Sequence, residues 1–327
     1  MGELLGDAAM ACLLGAGGCL ASGRWAIPRL ARAQYLAPSR YDDCPPLQAY
    51  QHAKPRTPTM GGVFAVGSAV AAVWICGGLA SRNSWLVLAA MLGMGAIGLV
   101  DDWMKFRGSN AVGVRTWPKL LAALTIGAVI GGASGSAPAV AIPWTGRTVQ
   151  LGWAWLPFAA MVLAGCSHAV NLTDGMDGLA AGCLAIAFAA IGVWSAVRGP
   201  EHRPVVLWCA ALTGACLAFL WFNSYPAAVY LGDVGALGFG AALAAISLVT
   251  QAALWLLIIG AVFVVEAGSV MVQVASYKWR GQRRVFRVAP IHHHFHLGGL
   301  SEPKVIVRFW LIGAAAALVG LTAVSAP

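Results

Sequence analysis

Apolar residues in this chain fall into long blocks separated by short polar stretches. A helix needs about 20 such residues to cross the hydrocarbon core of a bilayer. Ten blocks approach that length, at about 4–23, 60–80, 84–101, 118–135, 154–171, 178–197, 204–221, 235–252, 254–276 and 305–324. The pattern predicts an all-α integral membrane protein with about ten transmembrane helices, forming one domain over residues 1–327. The stretch 136–152 is rich in Gly, Ser and Pro and then alternates, which predicts a small exterior hairpin.

Composition sharpens this. Of 327 residues, 59% are hydrophobic and 10% charged, against about 25% charged in soluble domains. Mean hydropathy is +0.75. A soluble enzyme, a disordered tail and a secreted disulfide scaffold are excluded. The eight cysteines (12, 19, 44, 76, 166, 183, 209, 216) lie mostly within apolar runs and form no CxxC pair, so they read as small hydrophobes. The first Arg, Arg24, follows the first apolar run, so no cleavable signal peptide is expected.

Charge supplies orientation. Seventeen of the 21 Lys and Arg lie in or beside the loops 24–58, 102–118 and 277–304, leaving Arg82, Arg147, Arg198 and Arg203 for the other side. The positive-inside rule makes the first set cytoplasmic and puts both termini on the exterior, periplasmic side. The net charge of +9 suits anionic membrane lipids; without a basic, aromatic-interleaved surface domain, nucleic acid is not expected as a partner. Seven of the eight aspartates (42, 43, 101, 102, 174, 177, 233) fall on the same cytoplasmic side. Ionisable groups gathered at the mouths of spans are costly and usually functional.

Five constellations carry candidate chemistry. Asp101 and Asp102 close the third span in GLVDDWMK; adjacent carboxylates repel unless a cation or proton lies between them, and a helix C-terminus disfavours them further. Asn171, Asp174 and Asp177 share AVNLTDGMDGLA, where a helical turn would point both acids one way. Asp233 sits in the short acidic turn LGDVG, after Asn223 and Tyr230. His292, His293 and His294 cluster with His296 in a basic loop, whose Arg and Lys favour histidines acting on phosphate oxygens, or as acid or base, over a zinc site. Lys54, Thr57 and Thr59 precede two glycines at a helix start in KPRTPTMGG, a phosphate cradle without the Walker A pattern. Glu266 is the one acid deep within a span; it could pair with a cytoplasmic-side base or serve helix packing. Oxygen ligands of this kind suit Mg²⁺, with Mn²⁺ as a substitute. The residues themselves imply metal-assisted phosphoryl transfer between a cytoplasmic nucleotide and a bilayer lipid.

From about residue 50 to the C-terminus, KPRTPTMGG, GLVDDWMK, AVNLTDGMDGLA, LGDVGALGFG and APIHHHFHLGGLSEPKVIVRFW together resemble the signature segments of the phospho-N-acetylmuramoyl-pentapeptide transferases, within the polyprenyl-phosphate N-acetylhexosamine-1-phosphate transferase superfamily. The resemblance implies transfer from UDP-MurNAc-pentapeptide to undecaprenyl phosphate in the bacterial cytoplasmic membrane, giving lipid I and UMP, and is compatible with a homodimer. It implies Asp101, Asp102, Asp233 and His292 as catalytic residues, the three aspartates as metal ligands with Asp233 foremost, and His293 and His294 beside them. It places Lys54, Thr59, Lys119, Asn171, Asp174, Asp177, Asn223 and Tyr230 at the nucleotide-sugar site. Tyr230 stands where the family usually has Phe, His168 where Asn is usual, and Val234 where a hydroxyl residue is common. A sister N-acetylglucosamine-1-phosphate transferase would share the Asp motifs, though the HHHF and SEPKV segment argues against it. A transporter would put charges near the midplane, where only Glu266 lies.

Overall fold

The computed structural model describes residues 2–33, 45–54, 57–107, 113–134 and 138–323. Arg40, Asp42, Asp43, Cys44 and Arg56 lie outside the described residues. The chain runs α1 (Gly2–Arg32), α2 (Pro45–Ala53), α3 (Gly62–Ile75), α4 (Arg82–Arg107) and α5 (Thr116–Ala133). A hairpin follows, β1 (Ala139–Ala141) antiparallel to β2 (Thr148–Gln150) with Val140 opposite Val149, where alternation and turn residues predict one. Then come α6 (Trp155–Thr173), α7 (Leu179–Arg198), α8 (Arg203–Asn223), α9 (Gly232–Val249), α10 (Trp255–Ile259), α11 (Ala261–Trp279), α12 (Ile291–His296) and α13 (Glu302–Thr322).

Eight helices, α1, α4 to α9 and α13, are long and apolar enough to span a membrane. The protein is thus an all-α, multi-pass membrane protein. Two of the expected blocks take other forms. The 60–80 block yields only the 14-residue α3, ending before Gly77, whose φ of 68° helical residues do not adopt. The 254–276 block breaks at Gly260 into α10 and α11. The seven described cysteines are all free.

α9 is the axis of the bundle, buried along its whole length and packed against α3, α4, α5, α6 and α7. Its Gly- and Ala-rich sequence permits this, because helices in lipid gain little from hydrophobicity and associate through close backbone approach. Large apolar residues such as Leu13, Trp221 and Leu311 are exposed, as surfaces meeting lipid tails require.

The α4–α9 contact positions the site. A Cβ on Gly98 would run into the carbonyl of Asp233, so only glycine lets the acid-bearing end of α4 reach the start of α9. Gly98→Val should therefore destabilise the purified protein by about 1–3 kcal/mol, the usual range for overpacking. The measurement is thermal unfolding in detergent, with Gly17→Val on the open face of α1 expected to leave the midpoint unchanged.

Candidate active site

The first part of the site is a cluster of buried carboxylates. Asp101 and Asp102 come from the last turns of α4 and Asp233 from the first turn of α9. One ligand oxygen from each lies within 4.8 Å of the others. Lys105, one turn beyond Asp101, pairs with it and lies 3.1 Å from Asp233 Oδ2. Lys119 on α5 reaches Asp101 Oδ1 at 2.8 Å and Asp233 Oδ2 at 3.2 Å. Neutral donors complete the set: Asn171 Nδ2 donates to Asp233 Oδ1 at 2.9 Å, Val114 N to Asp101 Oδ1 at 2.6 Å, and Val234 N to Asp102 Oδ2 at 3.2 Å. Three carboxylates outnumber two ammonium groups by one charge. The cluster therefore has capacity for further positive charge, and its hard oxygen donors fit Mg²⁺ or Mn²⁺.

Beside the cluster lies a polar cleft. Lys54, Thr59, Asp174, Asp177, Asn223, Tyr230 and His293 line it. Pro58, Gly61 and Gly62 pair through backbone hydrogen bonds with Tyr230 and Leu231, which brings Thr59 against the start of α9. Gly232 makes this junction possible: its φ is 74°, and a Cβ there would lie 2.6 Å from Asp102 Oδ2. Asn223 is a brace, accepting from Gly178 N at 3.0 Å and donating to Val229 O at 2.8 Å.

Lys54 is held by two acids, Asp177 Oδ1 at 2.8 Å and Glu302 Oε1 at 2.7 Å. Burial depresses the Lys54 ammonium below its ordinary value, against the pull of Asp177. Glu302 also accepts from Asp177 N at 3.0 Å and from the Tyr50 hydroxyl. Sequence reasoning assigned Glu302 no role, although it lies within the SEPKV segment.

The histidines divide. His292 is fully buried on α12, with Nδ1 2.9 Å from Glu266 Oε2; the lone intramembrane acid is a partner for a base. Burial lowers the His292 pKa to about 3, with His296 adding repulsion, and burial likewise lowers that of His293. The His292 and His293 rings lie 4.0 Å apart. His294 is turned elsewhere, accepting from Arg287 N at 3.1 Å, and does not line the cleft. His168 bonds the carbonyl of Ala164 in its own helix.

A buried acidic centre at helix mouths, beside a cleft lined by Lys, Thr and His donors, marks a polytopic membrane protein with one polar site. Residues 84–251 match the family described as Glycosyl transferase family 4. The chain is 41% identical over 288 residues to a phospho-N-acetylmuramoyl-pentapeptide-transferase of Thermodesulfovibrio yellowstonii, covering 82% of this chain and 80% of that protein. It is 40% identical to that of Pelobacter propionicus over 323 residues, covering 93% and 88%. The chain belongs to the phospho-N-acetylmuramoyl-pentapeptide-transferase family and is a glycosyl-phosphate transferase.

The depressed histidines have a consequence for stability. Unfolding frees imidazoles that take up protons below about pH 6.5, while the folded ones stay neutral. Their contribution to stability is thus complete above pH 6.5 and declines as pH falls toward the folded value. In NMR spectra of ring-labelled protein, His292 and His293 should show no titration between pH 5 and 8.

Proposed function

We propose that the protein transfers phospho-MurNAc-pentapeptide from UDP-MurNAc-pentapeptide to undecaprenyl phosphate, giving lipid I and UMP. This is the first membrane step of peptidoglycan synthesis in the bacterial cytoplasmic membrane. The observation that carries this reading is the junction of the Asp101–Asp102–Asp233 cluster with the Lys54–Thr59 cleft at helix mouths. The whole chain, residues 1–327, acts as one transmembrane domain with the site at the cytoplasmic face, where exposed basic residues such as Arg280, Arg283 and Arg284 meet anionic headgroups.

An oxygen of the lipid phosphate attacks the sugar-bearing phosphorus of the donor pyrophosphate. The bond to the UMP oxygen breaks, and UMP leaves with its electron pair. A phosphomonoester has its second pKa near ~6 and is largely a dianion at neutral pH, so little is gained by removing a proton from it. Bringing a dianion against a pyrophosphate is the harder problem, and fixed positive groups and donors address it. Lys105 and Lys119 hold the carboxylates in register, and Lys54, Thr59, His292 and His293 supply donors on the donor-substrate side. Asp233, Asp101 and Asp102 would hold Mg²⁺, which when bound neutralises phosphate charge as a Lewis acid. Asp174 and Asp177 position the nucleotide-sugar with Asn223 and Tyr230.

Two outcomes check this. Release of UMP from UDP-MurNAc-pentapeptide by the purified protein with undecaprenyl phosphate should stop with chelator and return with Mg²⁺ or Mn²⁺, and Asp233→Asn should lose at least about 10²-fold while remaining folded. Separately, an impermeant thiol reagent on intact cells should label Arg147→Cys and leave Arg284→Cys unlabelled; the reverse pattern would invert the orientation.

A further inference from the structure

Glu266 on α11 and His292 on α12 meet with both side chains fully buried, Glu266 Oε2 lying 2.9 Å from His292 Nδ1. The acidic cluster and the Lys54 knot each hold ammonium groups. Here, among the described residues, no Lys or Arg pairs with either partner. The backbone N–H groups of Ile291 and His292 face the carboxyl, yet Glu266 Oε1 has no hydrogen-bond partner among the described residues. The same holds for His292 Nε2 at the far side of the ring. Which ring nitrogen carries the hydrogen is set by the bond the other one makes, so the Glu266 contact governs what Nε2 offers.

Two arrangements with a neutral ring fit this contact. In one, a carboxylate accepts Nδ1–H, and Nε2 is left as a bare lone pair. In the other, the carboxylic acid donates Oε2–H to Nδ1, and Nε2 carries the ring hydrogen. The first strands a net negative charge in a dry place with one oxygen wholly unpaired, the condition that drives a carboxyl to its neutral form. The second buries no net charge and keeps the same hydrogen bond. An imidazolium–carboxylate pair would also keep Nε2–H, but it buries two charges where the neutral pair buries none. Burial without a neighbouring cation therefore selects the acid as donor and Nε2–H as the tautomer.

Nε2 stands against the turn that lines the cleft. A Cβ on Gly175 would run into it, so glycine is what lets the imidazole approach the Asp174–Asp177 turn, and Gly175 itself lines the cleft. A buried N–H without an acceptor is costly, and a guest in the cleft brings one. Lys54 and Thr59 suit that cleft to phosphate oxygens; a bare lone pair at Nε2 would repel them, and an N–H attracts them. We propose that Glu266 is a positioning residue: its carboxyl donates to His292 Nδ1 and fixes the Nε2–H tautomer, making His292 a donor to a phosphate oxygen of the nucleotide-sugar rather than a base. This deepens, and rests on, the transferase reading above. No proton is transferred, since Oε2 and Nε2 each keep a hydrogen throughout.

Glutamine makes a direct test, because its amide N–H donates to Nδ1 as the acid does and never carries charge. Leucine has similar bulk and donates nothing. In ring-nitrogen-labelled protein without substrate, the His292 signal is assigned by its absence from His292→Gln. At neutral pH it should show the hydrogen on Nε2 and none on Nδ1, in wild type and in Glu266→Gln alike. With UDP-MurNAc-pentapeptide and undecaprenyl phosphate, Glu266→Gln should keep kcat within about threefold of wild type, whereas Glu266→Leu should lose about tenfold or more. A wild-type ring with its hydrogen on Nδ1, a Glu266→Gln enzyme as slow as Glu266→Leu, or a Glu266→Leu enzyme at the wild-type rate would each overturn the inference and leave the transferase reading intact. Should Glu266→Leu fail to fold, the wild-type tautomer and the rate of Glu266→Gln decide by themselves. Absence of UMP release by wild type would instead overturn that reading; the tautomer, read without substrate, keeps the two failures apart.

Discussion

Three buried carboxylates within 4.8 Å of one another set the terms for the rest of the molecule. Each charge taken out of water costs several kcal/mol unless it is paired and hydrogen-bonded. Here the compensation comes from four helices at once: Lys105 from α4, Lys119 from α5, Asn171 from α6 and the Val234 N–H from α9. The compensation is thus spread over four helices, and packing the bundle is what brings it together. The fully buried, small-residue α9 follows from the same demand, since only a slim central helix lets the others converge on its N-terminus.

The cleft is registered on the cluster by backbone rather than side chains. Hydrogen bonds between residues 58–62 and 230–231 are insensitive to side-chain identity, and they fix how far Thr59 and Lys54 stand from Asp102. This explains how Tyr230 and Val234, both unusual against the family resemblance, sit here without disturbing the frame. Tyr230 contributes its backbone to the seam, and Val234 meets Asp102 through its amide, so a side-chain hydroxyl is not what holds that contact.

Much of this was legible in the chain. Block length and apolarity marked the helices, and the gathering of Asp101, Asp102 and Asp233 at one depth foretold their meeting, because burial in lipid leaves lone acids few alternatives. What escaped reading has one physical cause. Hydropathy reports how apolar a segment is, and neither how it is broken nor what its rare polar atoms touch. A single block therefore stood for α10 and α11, although Gly260 leaves helical geometry between them. Glu302 meets Lys54 across 248 positions, a pairing with no local period to reveal it, and Glu266, for which a basic partner was one of two readings, meets His292 across 26. His294, grouped with its neighbours by the cluster and the resemblance, accepts from Arg287 N on the other side of α12's short span.

The knot at Lys54 ties charge balance to occupancy of the cleft. Its ammonium is shared by Asp177 and Glu302, and Lys54 lines the polar cleft. A guest that takes up the ammonium draws Lys54 from those partners. An anionic guest offers the ammonium a replacement partner, while Asp177 and Glu302 keep the backbone N–H donors of Ala227 and Asp177. A neutral guest offers none and strands buried charge, whose uncompensated desolvation opposes its entry. Discrimination by this pairing thus comes from what a wrong molecule leaves unpaired.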